Sequence, residues 1–207
     1  MSIGEKIKRK VLQKLGVVFV IERDSGDVTG ERLTYELNRQ VTKPFIREHF
    51  LEATLAYDTE VIGGDVIEFS ADGRHFLVAN VTPDQFKNVI VEKSAVLYKT
   101  NVSGELRRPT EERDDQEHLT QTFPIVRSSA FGLLTEALFG HELEERDFGA
   151  LGLEKHELYL PMSYGAQVDD RYVPDPATDS GEYVRIETIK KRRYDGVVVY
   201  EVGEDNR

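Results

Sequence analysis

Histidines and carboxylates are the side chains of this sequence that could bind a metal ion or act as general acids and bases. The nearest approach to a metal motif is HELEE, which begins at His141. The zinc-protease motif HExxH places a second histidine one helical turn after the first, but Glu145 stands at that position. We therefore interpret the segment as a solvated helix face and expect no metal ligand there.

A group of aspartates lies before the last predicted strands. Its members are Asp169, Asp170, Asp175 and Asp179. Calcium prefers carboxylate oxygens, but this spacing is not that of an EF-hand, and Pro174 and Pro176 stiffen the stretch. We interpret it as an exposed loop.

Nucleophiles and phosphate-binding loops are not recognisable either. Ser163, in SYGAQ, lacks the GxSxG context of a hydrolase nucleophile. The glycine turns IGGD and SADG are isolated and do not form a phosphate loop. The chain contains no cysteine, which excludes thiolate catalysis, thiolate metal sites and disulfides. The sequence thus predicts no catalytic, cofactor-binding or metal-ligating residue, and a protein that is not an enzyme.

The charge of the chain is uneven. All 207 residues together carry a formal net charge of −11. The first sixteen hold five basic residues and one acidic residue, which gives +4 and leaves −15 for the rest. An acidic protein has little general affinity for nucleic acid, because that affinity comes from lysines and arginines that displace counterions from phosphates. A basic head on an acidic body indicates an acidic partner, or contact between the head and body of different copies.

No segment predicts a membrane span or a secretory signal. The longest uncharged apolar stretch is residues 16–21, whereas a membrane helix needs about 20 apolar residues. The basic N-terminal segment is not followed by the continuous apolar core of a signal peptide. The absence of cysteine fits a reducing cytoplasm and equally a particle outside the cell.

Residues 1–16 are predicted to form a basic amphipathic helix that ends at Gly16. Four apolar residues recur at every fourth position: Ile3, Ile7, Val11 and Leu15. An isolated helix of this length is marginal in water, so its apolar face needs a partner. We therefore expect these four residues, together with Lys6 and Lys10, to contact a neighbouring subunit or an adjoining protein.

The rest of the sequence is typical of a mainly β protein with some α-helix. Short apolar runs between glycine-containing turns predict strands from residue 17 onward. The predicted order is a first β-barrel-like domain at 17–103, a charged linker or exposed loop at 104–127, and a helix with a second β-barrel-like domain at 128–207. The helix in the middle would begin with Ser128 or Ser129 as its N-cap and end at Gly140.

Two hairpin patterns in the chain match each other. Residues 73–91 and 181–199 align without a gap at an offset of 108 positions. We place the turn of the first hairpin at Pro83 and Asp84. Asn88 and Gly196 fall on the same position, and both residue types tolerate a left-handed backbone. Apolar residues on both faces are typical of a small closed barrel. The general likeness of β-hairpins and a true duplication both explain the match, and a duplication predicts two related barrels.

The stretch GGDVIEFSADGRHFLVANVTPDQFKNVIVEK, residues 63–93, resembles the barrel strands of head–tail connector proteins of tailed bacteriophages, of the head-completion, stopper or neck type. The resemblance rests on Gly64, Asp65, Gly73, Phe76, Val78, Val81, Phe86 and Val89. Residues 180–205 resemble the same pattern again. The second hairpin, the basic helix and the middle helix depart from the simple form of that family. The role therefore stays open between stopper, adaptor, tail terminator and neck-ring component.

The resemblance implies a structural protein of the virion that is made in the host cytoplasm. It implies a homo-oligomeric ring that joins the portal side of the capsid to the tail and lets DNA pass. The implied partners are copies of the chain, neighbouring connector, portal or tail proteins, and transiently DNA, without a cofactor or a membrane. The alternative is a small-molecule-binding or catalytic β-barrel domain with no recognisable motif.

An acidic cluster is the candidate lining of such a channel. Its residues are Glu111, Glu112, Asp114, Asp115 and Glu117. Carboxylates repel phosphates and release no counterions, so an acidic wall would let DNA slide. A rival in the same class of function is the basic run at residues 190–193, which would hold DNA back. Solvated loops explain both charge runs as well.

Overall fold

The computed structural model describes residues 2–37, 50–113, 119–136, 156–174, 183–190 and 194–205. The chain divides into two units. The first comprises Met1–Thr100 with Tyr194–Val197, and the second comprises Asn101–Arg193 with Val198–Arg207. The second unit therefore begins close to the predicted end of the first domain, and it includes the stretch that was predicted as a linker.

The first unit contains a closed barrel of six antiparallel strands. These are β1 (Val17–Glu22), β2 (Val28–Leu37), β3 (Phe50–Ala56), β4 (Val66–Phe69), β5 (His75–Phe86) and β6 (Val89–Lys99). Their order around the barrel is β1-β2-β3-β6-β5-β4, and β4 closes onto β1. Phe19, Phe69 and Phe76 are among the largest fully buried side chains. Each large apolar side chain buried in this way stabilises the fold by about 1.5–3 kcal/mol.

The second unit contains another closed six-stranded barrel. Its strands are β7 (Val102–Arg107), β10 (Ile125–Glu136), β11 (His156–Pro161), β12 (Arg171–Pro174), β13 (Val184–Ile189) and β14 (Val197–Glu204). Their order is β10-β11-β14-β13-β12-β7. The strands β8 (Thr110–Arg113) and β9 (Leu119–Thr122) form a separate two-stranded sheet, the β8–β9 ribbon. A 3-10 turn, Met162–Tyr164, follows β11.

The two barrels have the same strand order. When the strands of each barrel are numbered along the chain, both run 1-2-3-6-5-4 around the barrel. The two matching hairpins, β5–β6 and β13–β14, are the fifth and sixth strands in each case. The prediction of a mainly β protein with two barrel-like domains is confirmed. Because general hairpin likeness would not extend to four further strands, we interpret the chain as an internal repeat of one fold.

The register of the two hairpins agrees at the turn. Their second strands begin at Val89 and Val197, which lie 108 positions apart. The residues before them, Asn88 and Gly196, have φ angles of 62° and 75°. The left-handed backbone expected at this position is therefore present in both hairpins.

The first hairpin turns later than predicted. Lys87 and Asn88 have φ angles of 51° and 62° and form a two-residue turn. The turn predicted at Pro83 and Asp84 is wrong, because both residues pair with β6. Proline is tolerated there because pairing of β5 with β4 ends at Leu77, so this part of β5 lies at an edge within the described chain.

The prediction of a charged linker or exposed loop at residues 104–127 is also partly wrong. Its beginning belongs to β7, its middle forms the β8–β9 ribbon, and its end starts β10. In β7, Gly104 and Leu106 are buried. Glu105 and Arg107 alternate with them along the strand and form an ion pair with each other. The charges that suggested a linker are thus the outer residues of an alternating strand.

The helix predicted in the middle of the chain is a strand. Residues 128–136 lie in β10, which pairs with β7 and β11, and residues 137–140 are outside the described residues. An apolar run with residues on both faces fits helical and strand periodicity alike, which misled the prediction. Gly132 suits the strand, since an added Cβ would lie 3.0 Å from the Tyr159 carbonyl oxygen and 2.8 Å from Leu160 Cδ2.

The predicted N-terminal helix is present as three consecutive segments. These are α1 (Ile3–Ile7), a π-helical turn (Lys8–Leu12) and α2 (Gln13–Leu15). Ser2 and Glu5 form a reciprocal capping box at its start. None of the helices in the described residues is long and apolar enough to cross a membrane.

Candidate interaction surfaces

In the first barrel, an ion pair connects the residue after β1 to the residue before β4. Arg23 donates from Nε and Nη2 to the two carboxylate oxygens of Asp65, at 2.9 and 2.6 Å. The amide of Ile62 donates to the same carboxylate, and Arg23 also donates to the Glu60 carbonyl. The hydrogen bond with Asp65 raises the pKa of Arg23. Both carboxylate oxygens of Asp65 therefore accept hydrogen bonds within the first unit.

The second barrel contains the same arrangement. Arg108 follows β7 and donates from Nε and Nη2 to Asp170, which precedes β12, with both distances 2.9 Å. The amide of Gln167 donates to Asp170, and Arg108 also donates to the Gly165 carbonyl. The hydrogen bond with Asp170 raises the pKa of Arg108. This agreement in detail supports the internal repeat, and it gives these charges a structural role.

The two described members of the aspartate group that was predicted as an exposed loop form ion pairs. Asp170 is engaged by Arg108, and Asp169 pairs with Arg185 at 2.5 Å. Asp175 and Asp179 lie outside the described residues. The stretch around Asp169 and Asp170 is thus part of the barrel framework instead of a free loop.

The N-terminal helix contacts its own barrel through a different face from the predicted one. Gly4 and Leu12 are buried, and an added Cβ on Gly4 would touch the Tyr57 ring and the Val91 carbonyl. These two residues follow Ile3 and Val11 by one position, so the buried face lies beside the apolar stripe that the sequence indicates. Lys8 holds the helix to Asp58 by an ion pair at 2.7 Å, and this hydrogen bond raises the pKa of Lys8.

The residues of this helix that were predicted to contact a partner are largely exposed to solvent. Ile3, Val11 and Leu15 are exposed, and Ile7 is half-buried. Lys6 and Lys10 are also exposed. Contacts within the chain therefore hold the helix, while five of the six predicted contact residues remain exposed. We call these five exposed residues (Ile3, Lys6, Lys10, Val11 and Leu15) the helix surface.

A second apolar surface lies at the tip of the β5–β6 hairpin. Pairing of β6 with β3 ends at Glu92, and beyond this point β5 and β6 pair with each other as far as Phe86 and Val89. Phe86, Val89 and Ile90 are exposed at its end. The sequence did not predict this surface because the turn was placed earlier, although the run Val89–Val91 was a visible signal. We call these three residues the hairpin tip.

The acidic cluster is described only in part. Glu111 is exposed on β8, Glu112 lies on the same strand, and Asp114, Asp115 and Glu117 are outside the described residues. Exposed apolar side chains follow at Leu119 on β9 and at Ile125 and Val126 on β10.

The rival basic run is also described only in part. Lys190 donates to Glu157 at 2.5 Å, and residues 191–193 lie outside the described residues. Lys190, the described residue of this run, therefore has its partner within the second unit.

Three residues that are distant in sequence form a group with metal-ligand chemistry. Glu22, Glu68 and His75 lie on β1, β4 and β5 with one ligand atom of each within 4.8 Å of the others. His75 Nε2 is 3.3 Å from Glu22 Oε1. An imidazole and two carboxylates suit a divalent transition metal, and the same residues form an ordinary polar group when no ion is bound. Sequence reasoning missed this group because no motif links the three strands.

Comparisons with protein-family models, with curated proteins and with solved structures find no match for this chain.

Proposed function

We propose that this chain is a structural component of a phage neck, in a ring that connects the portal side of the capsid to the tail. The observation that carries the proposal is the repeated barrel, whose first copy presents the helix surface and the hairpin tip. Exposed apolar side chains grouped in this way are typical of surfaces that bind other proteins.

The interiors of the barrels support an interaction role. In the described part of the chain, every buried side-chain nitrogen or oxygen has a hydrogen-bond partner. The buried charged groups of the described residues all form ion pairs: Asp65 with Arg23, Asp170 with Arg108, Glu157 with Lys190, and Arg171 with Asp205. Convergent polar groups that await a substrate would be expected in an enzyme, so the polar groups of these barrels favour a framework.

Passage of DNA fits the charge of the chain. The body carries −15 apart from the basic helix, and an acidic surface neither binds phosphates nor gains from counterion release. The role is thus one of joining proteins while DNA moves past. Which carboxylates face the DNA is a separate question, for which the acidic cluster is one candidate.

Depletion of the chain during infection tests this function. Without it, we expect heads that package DNA and then fail to retain it or to join tails. Restoring the chain from a plasmid should restore joined particles. Normal yields of joined, infectious particles in its absence would contradict the proposal.

The alternative, a ligand-binding or catalytic barrel, is favoured by the group Glu22, Glu68 and His75. Titration calorimetry with Zn²⁺ tests it, with His75→Gln as the comparison. Stoichiometric binding that this variant loses would support the alternative, and equal heats for both proteins would count against it.

A further inference from the structure

We propose that the hairpin tip of one copy docks on the second barrel of another copy, at the turn that precedes β12. The inference rests on the proposed ring and names the contact through which its subunits join. The docking site is formed by Val168 and Asp169, which we call the turn surface. An equivalent contact inside the first unit carries the inference, together with the exposure of the hairpin tip and of Val168.

The turns that precede β4 and β12 have the same structure in the two barrels. The amides of Gly64 and Asp169 donate to carbonyl oxygens of β5 and β13, at 2.7 and 2.9 Å. Both residues have a left-handed backbone, with φ angles of 89° and 71°. The residues that follow them, Asp65 and Asp170, form the two equivalent ion pairs with arginine. The turn surface therefore stands in the place of Gly63 and Gly64.

In the first unit, the turn before β4 contacts the residues that lead into β14. The unit includes Tyr194–Val197. A Cβ added to Gly64 would collide with the carbonyl oxygen of Gly196, so the two backbones lie in direct contact. Two residues earlier, the Tyr194 ring packs edge-on against Tyr98 with centroids 5.7 Å apart, and the two hydroxyl groups form a hydrogen bond of 2.9 Å. The turn before β4 is thus a place where the end of a hairpin binds.

The hairpin tip is the counterpart of these residues in the first barrel. At the offset of 108 positions, Phe86 corresponds to Tyr194. Whereas Tyr194 is half-buried, Phe86 is 50% exposed and Val89 is 54% exposed. Phe86 and Val89 pair across the turn, so their side chains lie on the same face of the hairpin. The first hairpin therefore presents to solvent the aromatic side chain whose counterpart packs against Tyr98.

The residue types at the two contacts differ in a complementary way. In the first unit, glycine lies against glycine, which lets two backbones meet. In the second barrel, Val168 is 45% exposed and Asp169 replaces the second glycine, so a partner has to be reached by side chains. The hairpin tip supplies apolar side chains of that kind. Docking would bury Phe86 and Val89 against Val168 and remove their apolar surface from water.

A second copy is the partner that these observations select. The hairpin tip is exposed in the single chain and is therefore accessible to another copy. Its strands are already paired up to the turn, which keeps the entropic cost of association low. The hairpin tip and the turn surface are unlike surfaces, and each copy carries one of each. Such contacts continue from copy to copy and form a ring when the rotation closes, whereas contacts between like surfaces stop at a dimer.

Three variants with the same substitution test the contact. Val89→Arg places a charge in the hairpin tip, and Val168→Arg places one on the turn surface. Val126→Arg is the control, because Val126 is 45% exposed like Val168 and also lies in the second barrel. In sedimentation velocity over a concentration series, the natural chain and Val126→Arg should associate alike. Val89→Arg and Val168→Arg should each associate about tenfold or more weakly with unchanged circular dichroism, because an unpaired arginine would be buried in the contact.

A mixture of the two impaired variants distinguishes unlike from like surfaces. The intact tip of Val168→Arg can dock on the intact turn surface of Val89→Arg, whereas the reverse contact has an added charge on both sides. An equimolar mixture should therefore form dimers with one copy of each variant and no larger species. If tips bound tips, Val168→Arg would associate like the natural chain, and the inference would be overturned. A mixture that stays monomeric, or that grows beyond dimers, would overturn it as well.

The outcomes distinguish this inference from the proposed function. A natural chain that stays monomeric at every concentration overturns the docking of tip on turn surface, whereas the neck assignment depends on the depletion experiment. A mixture that stops at dimers supports the contact even if the chain proves to lie elsewhere than in a neck. Conversely, particles that fail to join without the chain support the neck role even if Val168→Arg associates normally.

Discussion

The ion pair of Arg108 and Asp170 gives the sharpest prediction about stability. The Asp170 side chain is 1% exposed, whereas that of Arg108 is 34% exposed. Arg108→Met leaves a buried carboxylate with the Gln167 amide as its remaining donor from this group. Removing one partner of a buried pair in this way should lower the free energy of unfolding by about 3–5 kcal/mol.

Substitution of the other partner, Asp170, should lower the free energy of unfolding by less. Asp170→Asn keeps the shape of the side chain, and the partly exposed guanidinium of Arg108 can turn to water. We therefore expect a loss of about 1–3 kcal/mol. Arg185→Met is the matched control, because its ion pair with the neighbouring Asp169 is 41% and 47% exposed. A pair of that exposure contributes about 0–1 kcal/mol.

Urea denaturation followed by circular dichroism gives the three free energies, and hydrogen exchange locates the effect. Exchange should accelerate first in peptides from β7 and β12, which the pair joins. The same order of effects is expected for Arg23→Met and Asp65→Asn in the first barrel. If Arg108→Met and Arg185→Met lower the free energy of unfolding by the same amount, the argument from burial is refuted.

Three further predictions concern the barrels. Burial raises the pKa of Tyr200 to about 12 and also raises that of Tyr172. Above about pH 10 the unfolded chain loses these protons while the folded chain keeps them, so the free energy of unfolding should fall by about 1.4 kcal/mol per pH unit for each tyrosine. Equal urea midpoints at about pH 9 and about pH 11 would contradict this. Asn88→Gly should raise the free energy of unfolding by up to about 1 kcal/mol, because its φ of 62° favours glycine, and a loss of stability would refute the turn geometry. Gly132→Ala should cost about 1–3 kcal/mol because the new Cβ would crowd Leu160, and an unchanged melting temperature would count against this packing.

The two matching hairpins were the part of the fold that the sequence indicated best. The match of Asn88 with Gly196 was visible because turn chemistry is local and restricts the residue types that fit. Helix and strand were confused at residues 128–136 because a short apolar run has no distinctive period. The sequence of β7 contains the alternation of apolar and polar residues that is typical of a strand. It was interpreted as a linker because Glu105 and Arg107 are charged.

The contacts between distant residues were not accessible from the sequence. Arg23 and Asp65 are 42 positions apart, and Arg108 and Asp170 are 62 apart. Such pairs depend on which strands become neighbours, and no local pattern contains that information. The helix surface was predicted because its residues lie within four turns of one helix, although the buried face was a different one.

The position of the chain in assembled particles tests the central claim most directly. If the chain has the proposed neck role, a cryo-electron microscopy map of virions that contain it should show six-stranded barrels in a ring between portal and tail, with two barrels for each chain. A neck map of sufficient detail to trace strands, in which no such pair of barrels appears, would contradict the account.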